Sequence, residues 1–382
     1  MPTGTTGRKA PHRRPPSTAR PPARRGAASR AKATHAGIRA RRARARRRRV
    51  RTGLLIALIL LLLLALGAGF LALRARNQAA PPVTPGTGEA GAVERFTTQG
   101  DVETVAQYDT PMAQEIARRM GEKAVIDASE ENSAWVKDGR VTVIGENDCG
   151  QCDTGEWEEV VAVALGTDHT VGLTQQGTLL FAGDDSFRQC SLRPEGRVVS
   201  IAASARATYA VLQDGRVQMC GNGVITPVEL ARESNIAAIA ASDSHVVLLK
   251  KDGTLVAYGS NAAGECDVTD WKDIVMVDCG YNATIALDAD GNVHIAGDTV
   301  YGQMALDNAQ EAASVAAGGN FCLVVFRDGS VRGAGSNSQG QTSVNGWSGV
   351  KAAACGYMHS VGLTETGERL FAGSNNYGQL DG

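Results

Sequence analysis

Three histidines, His169, His245 and His359, have the side chain to ligate a metal or act as a base, and they lie two and then three multiples of 38 residues apart. Cys149-Gly-Gln-Cys152 has the spacing of half a zinc knuckle but no second pair to complete it. Asp288-Ala-Asp290-Gly-Asn292 opens like a calcium loop; its glycine stands fourth and its twelfth residue is Thr299, so it reads as a turn. The run Gly333 to Gly340 is glycine-rich like a phosphate loop yet has no lysine. Asp168 and Asp243 are the only carboxylates with a claim to be paired for glycoside chemistry. No nucleophile, base and orienting acid occur as a set, so neither a catalytic residue, a metal nor a cofactor is expected.

The histidine spacing leads to the scaffold. Glycine stands at Gly139, Gly177, Gly215, Gly253, Gly291, Gly329 and Gly367, and again six residues later at Gly145, Gly183, Gly221, Gly259, Gly297, Gly335 and Gly373. Every interval within each series is 38 residues, which marks a repeat protein. In each unit short apolar runs alternate with Gly, Asp and Asn, and pairs such as Asp138-Gly139 and Asp214-Gly215 signal tight hairpins. The second glycine series is expected to mark a close backbone approach at a strand end. A small β-unit buries its faces only against neighbours. Seven such units therefore predict an all-β fold, a seven-bladed β-propeller of 38-residue repeats over 117–382.

Histidines on different blades do not converge on one ion, so hydrogen bonding between strands or blades is the expected role of the three that share a slot. The cysteines follow the repeat too: Cys152, Cys190 and Cys266 stand where other units have Met304 and Leu380, and Cys322 where others have Thr170 and Ser360. They read as small buried groups with free thiols.

The units Gly318–Gln341 (GGNFCLVVFRDGSVRGAGSNSQGQ) and Gly356–Gln379 (GYMHSVGLTETGERLFAGSNNYGQ) resemble the regulator of chromosome condensation repeat. The resemblance implies a propeller. It is less specific for activity: the family's eukaryotic founder is a nuclear guanine-nucleotide exchange factor, whereas compact bacterial members bind protein partners. The third unit departs from the pattern at Asn222-Gly223-Val224-Ile225-Thr226-Pro227, where the Gly-Gln pair is missing, and an irregular blade edge is expected.

The rest of the chain predicts where such a domain works. Residues 1–52 carry 18 Lys+Arg and no acid, leaving 21 bases against all 40 acids for the remainder. This stretch reads as a disordered basic cytoplasmic tail, able to attract anionic lipid headgroups; without interleaved aromatics, nucleic acid is an unlikely partner. Gly53–Leu73 is an uncharged run of 21 residues, long enough for one transmembrane helix, and it reads as an uncleaved signal anchor. The base-rich Arg39–Arg51 against Arg74 and Arg76 alone on the far side keeps the N-terminus cytoplasmic and the propeller extracytoplasmic. Residues 74–116 form a stalk or linker, with a short helix expected over Pro111–Lys123. Loops leaving the innermost strands would then present Asp168, Arg206, Asp243, Tyr281, Asn282, Asn320 and Tyr357 at the channel mouth. The function this favours is a membrane-anchored module that binds a protein or cell-envelope ligand. The alternatives are an envelope carbohydrate-active enzyme, or an exchange-factor-like regulator if the propeller is cytoplasmic.

Overall fold

The computed structural model describes residues 110–382. The tail 1–52, the apolar run 53–73 and the stalk to residue 109 lie outside the described residues, among which no helix is long and apolar enough to cross a membrane. The described chain forms seven three-stranded antiparallel sheets, each a blade built from strands consecutive in sequence. The second blade shows the plan: an inner strand β4 (Val160–Leu165), a middle strand β5 (His169–Thr174) and an outer strand β6 (Leu179–Gly183). The inner and middle strands are buried almost throughout because both of their faces pack on neighbouring blades.

The two glycine series mark the ends of each blade. At Gly215 the hairpin of the third blade turns with φ +84, the left-handed residue that a three-residue turn requires. Only Asp138-Gly139 is a two-residue turn with both φ values positive; in the other four Asp-Gly pairs the Asp keeps negative φ and the loop is longer than expected. Gly183 ends β6 with φ +104, and a Cβ there would stand 2.3 Å from the Asp168 carbonyl oxygen. The close approach read from the sequence is present, and it is what lets the outer strand end against the loop of its own blade.

The ring closes between the seventh blade and the first. The backbone N–H of Tyr357 donates to Ser129 O at 3.2 Å, and Ser133 Oγ donates to Gln379 O at 2.8 Å. The first blade differs from the rest in having an inner strand β1 of three residues, Ile126–Ala128.

Helix α1 (Pro111–Lys123) is not part of a separate linker. Thr110 caps it through Ala113 N at 3.2 Å, with Pro111 in its first turn. Its stripe of Met112, Ala113, Ile116 and Met120 packs on inner strands of the ring, with Ile116 fully buried. The expected boundary at residue 117 therefore falls inside a helix that belongs to the propeller. The reason is its amphipathic pattern: apolar residues at i, i+4 and i+8 gain burial only against an apolar wall. Arg119 Nη1 donates to Ala313 O at 2.8 Å near the start of one inner strand, and Lys123 Nζ meets Asp278 Oδ2 at 2.9 Å near the end of another. Helix α1 thus runs along the channel in the direction of the inner strands.

The third blade is irregular where its repeat lapses. A one-turn helix α2 (Pro227–Leu230) follows its outer strand, closed by a capping box between Thr226 and Glu229.

Candidate functional site

Blade-to-blade joints set the frame for any site. In the second blade His169 Nε2 lies 3.0 Å from Thr208 Oγ1 of the third, and that hydroxyl donates to Gln189 O at 2.8 Å. Because the threonine proton is committed to the carbonyl, the imidazole must carry its own proton on Nε2 and donate it. The same clasp joins His245, Thr284 and the Glu265 carbonyl, and joins His359, Ser133 and the Gln379 carbonyl. Burial pushes each of the three histidines down to about 4, so they are neutral joints rather than bases. His294 is elsewhere, 3.1 Å from Asp288 Oδ2 and stacked beside Trp271.

None of the eight cysteines is in a disulfide. Cys152, Cys190 and Cys266 donate to the carbonyls of Glu146, Asp184 and Ser260 at 3.3, 3.3 and 3.0 Å. Burial raises their thiols to about 11, 12 and 11, far from a reactive thiolate. Among the described residues no group of three or more His, Cys, Asp or Glu is placed to hold a metal ion.

The channel carries the candidate sites. Beside α1 lies a cavity of 450 Å³, walled by inner strands of the first blades and by Ala117 and Gly121 of the helix. At its inner end Lys123 is held between Asp278 and Asp127. Burial opposes the lysine charge, but the two carboxylates outweigh it and raise the ammonium above its usual value. Burial likewise raises the Asp127 carboxyl to about 6. Asp127 Oδ2 also accepts from Leu165 N at 2.7 Å, and Asp278 Oδ2 from Ala317 N at 3.0 Å. These groups staple inner strands of adjacent blades to one another.

At the far end, a recess of 110 Å³ opens where the inner strands finish. The seven predicted mouth residues divide here into two rows. Asp243, Tyr281 and Tyr357 line the recess, together with Glu130, Thr167 and Gly319 in the equivalent position of other blades. Asp168, Arg206, Asn282 and Asn320, one residue further on, do not line it. Their carbonyls accept from the residue after the outer strand, as Asp168 O does from Asp184 N at 2.8 Å and Asn320 O from Ser336 N at 2.9 Å, which turns this row outward. Arg206 lies over the Phe187 ring at 4.8 Å. The carboxylate pair considered for glycoside chemistry is therefore split between the rows, and Asp243 Oδ1 accepts from Ala205 N at 2.6 Å.

Tyr281 and Tyr357 come from the fifth and seventh blades and meet edge to face, ring centroids 6.3 Å apart and planes at 80°. The loop between them belongs to the sixth blade and has Gly319 in that row. A Cβ there would stand 2.8 Å from the Tyr357 ring, so the glycine is what allows the two rings to approach. Sequence reasoning includes both tyrosines but misses Gly319, which counting residues within each repeat would have found, and Glu130, which that count places in the other row because the first blade's hairpin is one residue shorter.

Comparisons with known proteins place this geometry. A family model described as regulator of chromosome condensation (RCC1) repeat matches residues 236–265, 274–303 and 312–341. No curated protein matches the chain. Solved structures share the fold at low identity. The CRINKLY WD40 ectodomain of the Arabidopsis thaliana receptor kinase ACR4 aligns with a TM-score of 0.56 and 13% identity, covering 66% of this chain and 96% of that one. Prp20p of Saccharomyces cerevisiae, described with its binding properties to Gsp1p and histones, gives 0.51 and 13%, covering 70% and 85%. Human WBSCR16 gives 0.52 and 15%, covering 65% and 86%.

Proposed function

Starting from a seven-bladed propeller that carries RCC1 repeats, we propose that this protein is a membrane-anchored, extracytoplasmic module that binds a protein ligand through the end of the ring bearing Tyr281 and Tyr357, and that it works by binding rather than catalysis. One observation carries the reading. Phe187, Tyr281, Val300, Tyr301, Tyr357 and Met358 are all exposed large apolar side chains, and all lie in loops at that end of the blades. Of the other three exposed large apolar residues, Val161 faces the channel cavity, Val224 lies in the irregular segment after the third blade's outer strand and Val228 sits on the short helix α2. Apolar exposure gathered on one face is the property of an interaction surface rather than of ordinary scatter. Yeast Prp20p, of the same fold, is described with protein partners, which agrees with a binding role, and the ACR4 propeller is an ectodomain, which agrees with a place outside a membrane. The apolar run Gly53–Leu73 and its basic flank supply the anchor and the orientation.

Two measurements on the full chain test this. Protease added to intact cells should remove the propeller; digestion only after permeabilisation would reverse the topology. A photo-crosslinking residue at position 357 should capture a protein, while one at position 140, at the opposite end, should not. Equal capture at both positions, or none at 357, would refute the assignment of this face.

A further inference from the structure

Among the channel cavity, the buried Lys123 cluster, the free thiols and the exposed loops, the tyrosine recess is the site whose chemistry is most sharply defined. Resting on the binding role proposed above, we infer that the recess receives a cationic side chain, a lysine or arginine on a basic segment of the protein partner.

Four features of the mouth support this. Its lining row carries two carboxylates, Glu130 and Asp243, and no base. The next row adds Glu131 and Asp168 against Arg206 alone, whose guanidinium is already over Phe187. Tyr281 and Tyr357 are 49% and 39% exposed, so ring faces and edges remain open to a ligand although the two rings touch. Their placement is fixed before any ligand arrives: Tyr281 N donates to Gly318 O at 3.0 Å, Tyr357 N to Ser129 O at 3.2 Å, and Gly319 N to Gly356 O at 3.2 Å.

A π-face attracts a cation through its quadrupole, and nearby carboxylates add a longer-range pull. An anion would meet repulsion from both. A purely apolar group would gain from the rings but would draw water away from the carboxylates Glu130 and Asp243 without bringing a countercharge. The recess of 110 Å³ fits one side-chain head and not a folded element, which points to a single extended basic segment. Neutral loop tips elsewhere at this end, such as Tyr301 and Val300, would then contact the remainder of the partner.

The test uses fluorescently labelled amidated tetra-arginine and tetra-lysine peptides, with tetra-aspartate as control, titrated against the full chain in detergent micelles by anisotropy. Both basic peptides should bind and the acidic one should not. Tyr281→Ala and Tyr357→Ala should each weaken binding roughly fivefold, the loss of about 1 kcal/mol of cation–π attraction. The Phe variants at the same positions should keep affinity within about twofold, since the ring and not the hydroxyl supplies the attraction. Glu130→Gln should weaken binding at low salt and have less effect as the salt is raised. Thermal melting confirms that these exposed variants fold. The inference is overturned by no binding, by equal binding of tetra-aspartate, or by affinity indifferent to both alanine variants. It is also overturned if the peptides bind only after the arginines of 39–51 are replaced by glutamine, which would make the occupant the chain's own tail. Capture at position 357 without peptide binding would refute the cation site while leaving the binding role standing.

Discussion

The joint between the seventh and first blades and the joint between the third and fourth do the same mechanical work with opposite chemistry. At the first, His359, Ser133 and the Gln379 carbonyl form the same three-part clasp that joins two interior pairs of blades. At the second, every polar part is missing. The histidine position holds Ala207, the hydroxyl position holds Val246, and the Gly-Gln pair is absent from the lapsed repeat. Tyr209, Ile225, Leu230, Ile236, Val246 and Leu248 fill the space as one apolar cluster. The polar parts are absent as a set because a lone buried donor or acceptor costs more than the pair is worth. Ring closure, which no covalent link supports, relies on the ordinary repeat clasp and has no special device.

Acid separates the two kinds of joint, and it should produce the largest effect. The folded histidines lie at about 4 against about 6.5 for an unfolded chain. Between those values the unfolded chain binds more protons, so the stability they confer is full above pH 6.5 and is lost as pH falls towards 4. At pH 5 the cost is about 2 kcal/mol per histidine relative to pH 8, or about 6 kcal/mol for three. Asp127 acts in the opposite sense, because its carboxyl is raised to about 6, but offsets only about 1 kcal/mol of this. Denaturant midpoints should therefore drop steeply from pH 7 to pH 5 in the parent, and less so in His169→Gln or His359→Gln. A slope unchanged by either variant would refute the account.

The apolar joint is broken instead by volume. Tyr209 is fully buried, and Tyr209→Ala should cost about 3–5 kcal/mol by leaving a cavity. The loss should be the same at pH 5 and pH 7, because no group there titrates between those values. A pH-dependent loss would mean that this joint also contains a buried ionisable partner.

The sequence made some of this legible and hid the rest for identifiable reasons. Gly183 and Gly215 announced strand ends and turns because backbone geometry permits little else there, and the shared slot of His169, His245 and His359 announced a common role. The partners of those histidines were hidden because each clasp crosses a blade boundary, and Thr208 gives no sign of facing His169 until the blades are stacked. The fate of Pro111–Lys123 was hidden similarly: its helical pattern was visible, its docking on the channel wall was not. The mouth was half legible. Tyr281 and Tyr357 follow from their place in the loops that leave the inner strands, yet Asp168 and Asn320 fall in the same loops and look alike until one carbonyl is seen to be tied outward.

Removing one polar part from the closing clasp should cost less than the Tyr209 cavity. Ser133→Ala leaves the His359 Nε2 proton and the Gln379 carbonyl unpaired, at about 1–3 kcal/mol. Adding His359→Phe should recover part of that loss, since two apolar partners reproduce what the third and fourth blades already do. Chemical denaturation of the two single variants and the double one measures the coupling. Simple additivity would show that the serine and histidine do not act together.

The smallest effect is expected where the clasp has been softened. Cys322 takes the hydroxyl position in the sixth blade and reaches Gln303 O at 3.5 Å, with Ala283 of the fifth blade in the histidine position. Burial raises its thiol to about 12, so it is a weak donor and not a nucleophile. Cys322→Ser would supply the stronger donor that Ser360 gives the next blade at 2.7 Å, but would shorten the reach of the group and bury a more polar one. These terms oppose each other, and the change in stability should stay within about 1 kcal/mol. A loss of several kcal/mol would show that this position is governed by packing volume, and would move the fifth and sixth blades into the same class as the third and fourth.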